Sequence, residues 1–381
     1  MVSRLYASTR CLWEQVAMAI ATLGVGRGRR RRVVELMALY VTGLILLEKG
    51  QTAVRIATVL PGRAHDALNR LLRVLPWSPH HLILSLVRWV QRQKGVGYLC
   101  LDDVVVEKPF AKLLPWAWWT YSHTEQRHVF GFHIVLLFWC NETLRIPVSF
   151  RLWRSKREDL PAYRTKLELA QAMVSNVLRA GLKFEYLTFD LWYNARTFTK
   201  WLNEHEIIWV STLKSNARIT RHGRTQPVEQ WAKQLPRHRI AGRTWAWVGT
   251  VHLPRYGIIR LVVATNGYGG LDYIASNDLH RRGKTLLERK RSRWDIETSF
   301  RDTKQLAGLG ACQCRVSQAM ERHVALVLLA FVVLQQLRLA PSETVGEVKR
   351  RLHLSVIRGD ESMSDATIAS PQRGGEIMPA A

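Results

Sequence analysis

Two adjacent aspartates, Asp102 and Asp103, interrupt the apolar run GYLCLDDVVV that begins at Gly97. The run is rich in β-branched residues and reads as a strand. An ionised carboxylate buried in such a strand is costly unless a counter-charge accompanies it. Successive strand residues face opposite sides of a sheet, so only one of the two acids can address a given site. The fold must therefore bring a counter-charge to this strand and divide the pair between two faces.

The segments that follow repeat the strand character. VFGFHIVLLFWC and LRIPVSFRLW are expected as strands, a helix covers roughly Pro161 to Ala180, and FEYLTFD, NARTFTKWLNE and IIWVSTL follow as strand, helix and strand. Three strands, helix, strand, helix, strand predicts a mixed α/β sheet whose first three strands are antiparallel. Residues 1–95 read as a helical domain, on the apolar spacing of RRVVELMALYVTGLILLEKG and HDALNRLLRVL. Residues 96–213 would form the first part of the core. In 214–283, RTWAWVGTVHLP and GIIRLVVATNG lie among Gly-, Asn- and Arg-rich connections and suggest a β-rich insertion. Helical periodicity returns over 284–340 to complete the core, and 341–381, rich in Ser, Asp, Gly and Pro, is expected to be mostly disordered.

Charge narrows the partners. Fifty-six basic residues against 30 acidic ones leave a net charge of +26 and a pI near 10.5, which points to a polyanion such as DNA, RNA or an anionic membrane. The cluster from Arg27 to Arg32, broken only by Gly28, reads equally as a phosphate grip and as a solvated arm. The longest apolar runs, Val324–Leu334 and Met37–Leu47, fall short of the roughly 18 to 20 residues of a spanning helix and are expected as core helices, with no membrane partner. The N-terminus does not read as a secretory leader. Five cysteines without zinc-site spacing suit reduced thiols in a cytoplasm.

A second acidic segment is RWDIETSFRDTKQ, Arg293 to Gln305. As a helix turning about 100° per residue, it gathers Arg293, Glu297 and Lys304 within roughly 40° beside an apolar stripe of Ile296, Phe300 and Ala307. Asp295 and Asp302 point the other way, expected toward solvent. Ion pairs from Glu297 to Arg293 and to Arg301, four residues apart, are worth only about 0.3 to 0.5 kcal/mol each. Asp190 ends the strand FEYLTFD, where open α/β sheets carry functional groups and where a helix N-cap could equally sit. Carboxylates from the first strand, the fourth strand and the late helix can converge on one edge of such a sheet. Oxygen donors without Cys or His suit Mg²⁺ or Mn²⁺, and two ions sharing a carboxylate suit in-line displacement at phosphorus.

These segments resemble bacterial insertion-sequence transposases of the DDE type, which have a ribonuclease-H-like catalytic fold. RSRWDIETSFRDTKQLAGLG is similar to that family's terminal signature of Tyr, Arg, Glu and Lys with two, three and six residues between them. Arg293, Glu297 and Lys304 match it, and Lys290 stands at the Tyr position. LDDVVVEK resembles the strand of the first catalytic aspartate and LTFDLWYNA that of the second. The resemblance implies Asp190 and Glu297 as catalytic metal ligands, with either Asp103 or Asp102 as the first acid and Asp103 slightly preferred. It further implies two Mg²⁺ ions, with Mn²⁺ as substitute, and DNA contacts from Arg293, Lys304, Arg301 and Lys290.

The implied architecture is a ribonuclease-H-like mixed sheet with flanking helices, a β-rich insertion and an N-terminal all-α domain. The implied activity is nicking at transposon ends and strand transfer of the freed 3′-hydroxyl into target DNA, in relatives with this insertion often through a DNA hairpin. A homodimer assembled on double-stranded DNA is expected. In some relatives an aromatic residue of the insertion stacks on a flipped base, and Trp245 and Trp247 are the candidates. A DNA-binding relative without catalysis, and a metal-dependent endonuclease that cuts without strand transfer, are compatible with the same residues. If Lys304 meets a backbone phosphate, Lys304→Ala will reduce the slope of log Kd against log salt by about 1, read by fluorescence anisotropy on duplex DNA; an unchanged slope makes it a solvated helix residue.

Overall fold

The computed structural model describes residues 2–360 apart from 27, 29, 30, 61–64, 110–113, 115, 123, 124, 155–162, 243 and 255. Arg27, Arg29 and Arg30 of the arginine cluster and residues 361–381 of the tail lie outside the described residues. The chain divides into two compact units, one of Val96–Phe300 and one of Met1–Gly95 with Arg301–Ala381.

The first unit is built on a mixed sheet that begins with β1 (Gly97–Glu107), β2 (Trp118–Ser122), β3 (Arg127–Cys140) and β4 (Arg145–Trp153). β3 is buried from Val129 onward, so this largely apolar run has protein on both faces. It pairs antiparallel with β1 along one side, and shares its other side between β2, opposite Arg127–Gly131, and β4, opposite His133–Cys140. The helix α6 (Lys166–Arg179) starts at a capping box, where Thr165 and Glu168 satisfy each other's backbone amides. Then come β5 (Phe184–Phe189), α7 (Arg196–Glu204) and β6 (Trp209–Thr212), with β1, β5 and β6 parallel to one another.

The region expected as an insertion contains β7 (Arg218–Arg221), β8 (Arg224–Pro227), α8 (Val228–Gln234), β9 (His238–Ala241), β10 (Thr244–Leu253), β11 (Gly257–Thr265) and β12 (Leu271–Ser276). Its strands continue the same sheet, because β12 pairs antiparallel with β6. The resulting order is β2-β3-β1-β5-β6-β12-β11-β10-β7-β8. A mixed sheet with flanking helices agrees with the ribonuclease-H-like class expected above. The sequence reading omitted β2, β7, β8, β9 and β12, which are six residues or fewer and too short for a clear two-residue alternation.

After β12 come α9 (Gly283–Arg291) and α10 (Trp294–Leu306), the latter running across the boundary at Phe300. The second unit is helical: α1 (Val2–Thr22), α2 (Arg31–Leu46), α3 (Ala53–Val59), α4 (His65–Arg73) and α5 (Pro79–Val90) join α11 (Ser317–Gln336) and α12 (Val345–Arg358). Two expectations change here. Residues 301–340 group with the N-terminal helices rather than with the sheet, since the nearly all-buried α11 needs other helices around it. The segment from 345 to 358 is helical: Thr344 and Glu347 form a capping box, Gly359 terminates the helix at φ 70°, and the buried Lys349 ammonium reaches the carbonyls of Leu47 at 2.7 Å and Leu306.

By length and composition α11 could cross a membrane, with 20 residues against the 11 of its apolar run, yet most of it is buried inside the protein. Two of its buried polar side chains reach partners there. Arg322 donates to the carbonyls of Leu72 (3.2 Å) and Trp77 (2.9 Å), and His323 lies between Tyr40 Oη (2.9 Å) and Gly308 O (3.0 Å). The five cysteines are free thiols.

The pairing of β1 with β3 depends on one missing side chain. Gly131 sits opposite Glu107, and a Cβ there would lie 2.2 Å from the carbonyl oxygen of Val106. Gly131→Ala is expected to lower unfolding free energy by about 1 to 3 kcal/mol, measured by urea denaturation.

Candidate functional site

Strand alternation divides β1 into two chemistries. Its even-numbered side chains meet the segment from Ser292 to Asp295: Tyr98 donates to Asp295 Oδ2 at 2.5 Å, Cys100 Sγ lies 3.6 Å from the Ser292 carbonyl, and Asp102 Oδ2 accepts from Arg293 Nη1 at 3.3 Å. Asp103 turns to the other side. There its Oδ2 is hydrogen-bonded to His133 Nδ1 (2.6 Å) of β3 and Lys166 Nζ (2.7 Å) of α6, while Oδ1 accepts from Tyr193 Oη at 3.0 Å. His133 Nε2 in turn lies 2.6 Å from Thr120 Oγ1 on β2. Burial would raise the Asp103 carboxyl, but the His133 hydrogen bond and the charges of Lys166 and His133 outweigh it and hold the group at about 2. Asp103 is thus ionised and already paired with the Lys166 ammonium.

Asp102 has a different environment. In the parallel pairing of β1 and β5, Leu101 stands opposite Phe189, so Asp102 and Asp190 each follow the last paired residue of adjacent strands. Asp190 Oδ1 accepts the backbone N–H groups of Trp192 (3.0 Å) and Tyr193 (3.2 Å). It is not a helix N-cap, since α7 is capped at Ala195. Burial pushes the Asp102 carboxyl well up, and the negative charges of Asp190 and Asp103 push it further, against the pull of Arg293. Asp190 is also raised, by burial first, despite its two amide hydrogen bonds and Arg293. Two buried like-charged carboxylates are therefore only partly compensated.

Arg293 joins the strand acid to the helix acid: one nitrogen reaches Asp102, and the other pairs with Glu297 one turn along α10. Among the described residues, no three of His, Cys, Asp and Glu gather as a metal-holding group; the Glu297 carboxylate is turned to Arg293. The donor chemistry of Asp102, Asp190 and Glu297 nonetheless fits Mg²⁺ or Mn²⁺. It is all oxygen, and a divalent cation would offset the burial and the like charge that raise Asp102.

The other sequence candidates separate. Lys290 is engaged internally, its Nζ 2.8 Å from Asp272 Oδ2 on β12. Arg301 is exposed and 3.8 Å from Asp302, and Lys304 is exposed on α10. Trp245 is half exposed, whereas Trp247 lies under the Arg221 guanidinium (4.9 Å) and against Gly249, where a Cβ would strike its ring. Ile296, Phe300 and Ala307 are buried as the helical stripe predicts. Asp295 and Asp302 are not the solvated charges expected: Asp295 takes the Tyr98 hydroxyl, and the Asp302 side chain is only 14% exposed. A helix docked on its first turn buries more than one stripe. His133, Lys166 and Tyr193 escaped the sequence reading, although a lone imidazole inside VFGFHIVLLFWC poses the same question of compensation as the aspartate pair.

Comparison with known proteins extends the geometry. Residues 24–247 match the family described as "DDE superfamily endonuclease", and residues 150–345 match the family described as "Archaeal putative transposase ISC1217". Among solved structures, the NurA nuclease from Sulfolobus solfataricus is similar at 10% identity and a TM-score of 0.27, covering 61% of this chain and 86% of that chain; likeness at that level carries no argument. No curated protein matches.

The Asp103 cluster has a pH signature. Its folded value of about 2 lies below the ordinary 3.8, so its contribution to stability is complete above pH 3.8 and is lost as pH falls toward 2. That contribution is on the order of 2 kcal/mol. Asp103→Asn is expected to flatten the acid limb of unfolding free energy between pH 4 and 2, followed by denaturation at a series of pH values.

Proposed function

This chain belongs to the DDE superfamily of endonucleases and transposases, and from that premise we propose that it is the transposase of an insertion sequence, cutting the ends of its own element and joining the freed 3′-hydroxyl to target DNA. Asp102, Asp190 and Glu297 are its catalytic carboxylates and metal ligands. The observation that carries this reading is the convergence of Asp102 and Asp190 from neighbouring parallel strands, each raised above its usual range, with Arg293 linking Asp102 to Glu297. Asp102 is preferred over Asp103 as first acid because Asp103 already has a cation in Lys166 and a hydrogen bond with His133.

Two Mg²⁺ ions held by these carboxylates would supply activation of the attacking water or 3′-hydroxyl and stabilisation of the leaving oxygen at phosphorus. The protein's own part is orientation and charge. Burial and the amide hydrogen bonds at Asp190 keep that carboxylate at the strand end. Arg293 is a fork of donors suited to a phosphate beside the carboxylates, and Lys304 and Arg301 carry positive charge further along α10, where a DNA backbone would pass. Lys290, paired with Asp272, braces β12 in this reading and contributes less to DNA than the exposed cations do. Trp245 is the insertion aromatic open for base stacking.

The sheet of Val96–Phe300 serves as the catalytic part, and the helical unit with its share of the +26 charge as the part that engages the element's ends. The working form is a homodimer on paired double-stranded ends. Free thiols suit a reducing cytoplasm and association with the nucleoid.

Purified protein incubated with Mg²⁺ and DNA carrying the flanking ends of its own element should yield end-specific nicks and joined products. Glu297→Gln and Asp102→Asn should abolish cleavage while leaving DNA binding intact, and Asp103→Asn should retain measurable cleavage. Undiminished cleavage by Glu297→Gln would sink the assignment. Nicks without joined products would reduce it to an endonuclease.

A further inference from the structure

Asp103 and Asp190 are connected through a single residue. Tyr193 is fully buried. Its hydroxyl donates to Asp103 Oδ1 at 3.0 Å, and its backbone N–H donates to Asp190 Oδ1 at 3.2 Å. The second oxygen of Asp103 is tied to β3 through His133 (2.6 Å) and to α6 through Lys166 (2.7 Å). Lys166 itself lies between two indoles, 5.4 Å from the Trp153 ring and 5.0 Å from that of Trp192. Trp192 then supplies the other amide that Asp190 accepts, at 3.0 Å. The turn carrying Asp190 is therefore held to the sheet and to α6 by two neighbouring residues, each using its side chain toward the Asp103–Lys166 pair and its backbone toward Asp190.

Such a hold answers a physical problem. Asp102 and Asp190 repel each other, and Asp190 sits at a strand end followed by a turn, the part of the chain most able to swing away. A cation site must keep both carboxylates in place before the cation arrives, and outer partners of ligating carboxylates are what fix their orientation. We propose that Tyr193, anchored by Asp103, is a positioning residue that holds the Asp190 carboxylate in the arrangement a divalent cation requires. Asp103 acts through Tyr193 and touches neither substrate nor metal. The inference rests on the reading of Asp102, Asp190 and Glu297 as metal ligands.

The test uses the full chain without DNA and Mn²⁺ as the probe, with free Mn²⁺ read by electron paramagnetic resonance. Asp190→Asn should remove the high-affinity binding, and Tyr193→Phe, which keeps the ring and deletes only the hydroxyl, should weaken it about 10-fold or more. Asp103→Asn should weaken it similarly. In nicking assays the Mg²⁺ concentration for half-maximal rate should rise by the same factor in Tyr193→Phe, with the rate recovering at saturating Mg²⁺ and duplex affinity unchanged. A purely structural role for the hydroxyl would lower the melting temperature and leave Mn²⁺ affinity alone. Wild-type Mn²⁺ affinity in Tyr193→Phe, alongside loss in Asp190→Asn, overturns this inference and leaves the metal-ligand reading standing. Absence of Mn²⁺ binding by the wild type overturns both. Should Asp103→Asn fail to fold, Tyr193→Phe decides the matter alone.

Discussion

Arg293 is the interaction on which the candidate site depends. It draws a carboxylate from the first strand and one from the late helix to the same guanidinium, although the two acids are far apart in sequence. Apolar packing alone would seat α10 on the sheet through Ile296 and Phe300, but it would not specify which rung of β1 the helix start faces. The contacts at Tyr98, Cys100 and Asp102 recur every second residue and fix that alignment. Charge and hydrogen bonding thus set the register that hydrophobic burial leaves open.

The adjacent aspartates then take opposite fates. Asp103 enters a network in which His133, Lys166 and Tyr193 all reach its carboxylate, which is how buried ionic groups persist without large cost. Asp102 shares its face with Asp190 and has Arg293 as its cation. Placed next to each other in sequence, one acid stabilises the scaffold and the other remains under strain from like charge. Perturbed groups of the second kind concentrate at functional sites.

Much of the fold can be read from periodicity. The alternating runs of β1, β3 and β4 and the stripe of α10 are long enough for their period to stand out, and the mixed sheet follows from their order. What resisted reading was short or non-local. β12 has six residues, and nothing in LDYIAS announces that it will pair with β6. At the site, a doublet of acids in an apolar strand signals that compensation is needed, yet not which acid receives it, because Lys166 arrives from α6 and Arg293 from the turn ahead of α10, both remote in the chain. Arg293 and Glu297 were legible as a pair because they lie four residues apart in a segment with helical spacing; the Asp103 partners come from three separate stretches of chain and leave no local pattern. Asp295 misled for the same reason, its partner Tyr98 lying 197 residues away.

Because β12 pairs with β6, the strands between residues 218 and 276 are continuous with the sheet that carries Asp102 and Asp190. Without them β6 would present a bare row of amides and carbonyls, the kind of sheet margin that recruits strands from other molecules. The extended sheet instead finishes on four-residue β8 at that end, too short to template much pairing, while β2 and β4 share the other end. Shortening the protein there would bare the outer edge of β6, so the length of this segment bears on solubility as well as on the extent of the sheet.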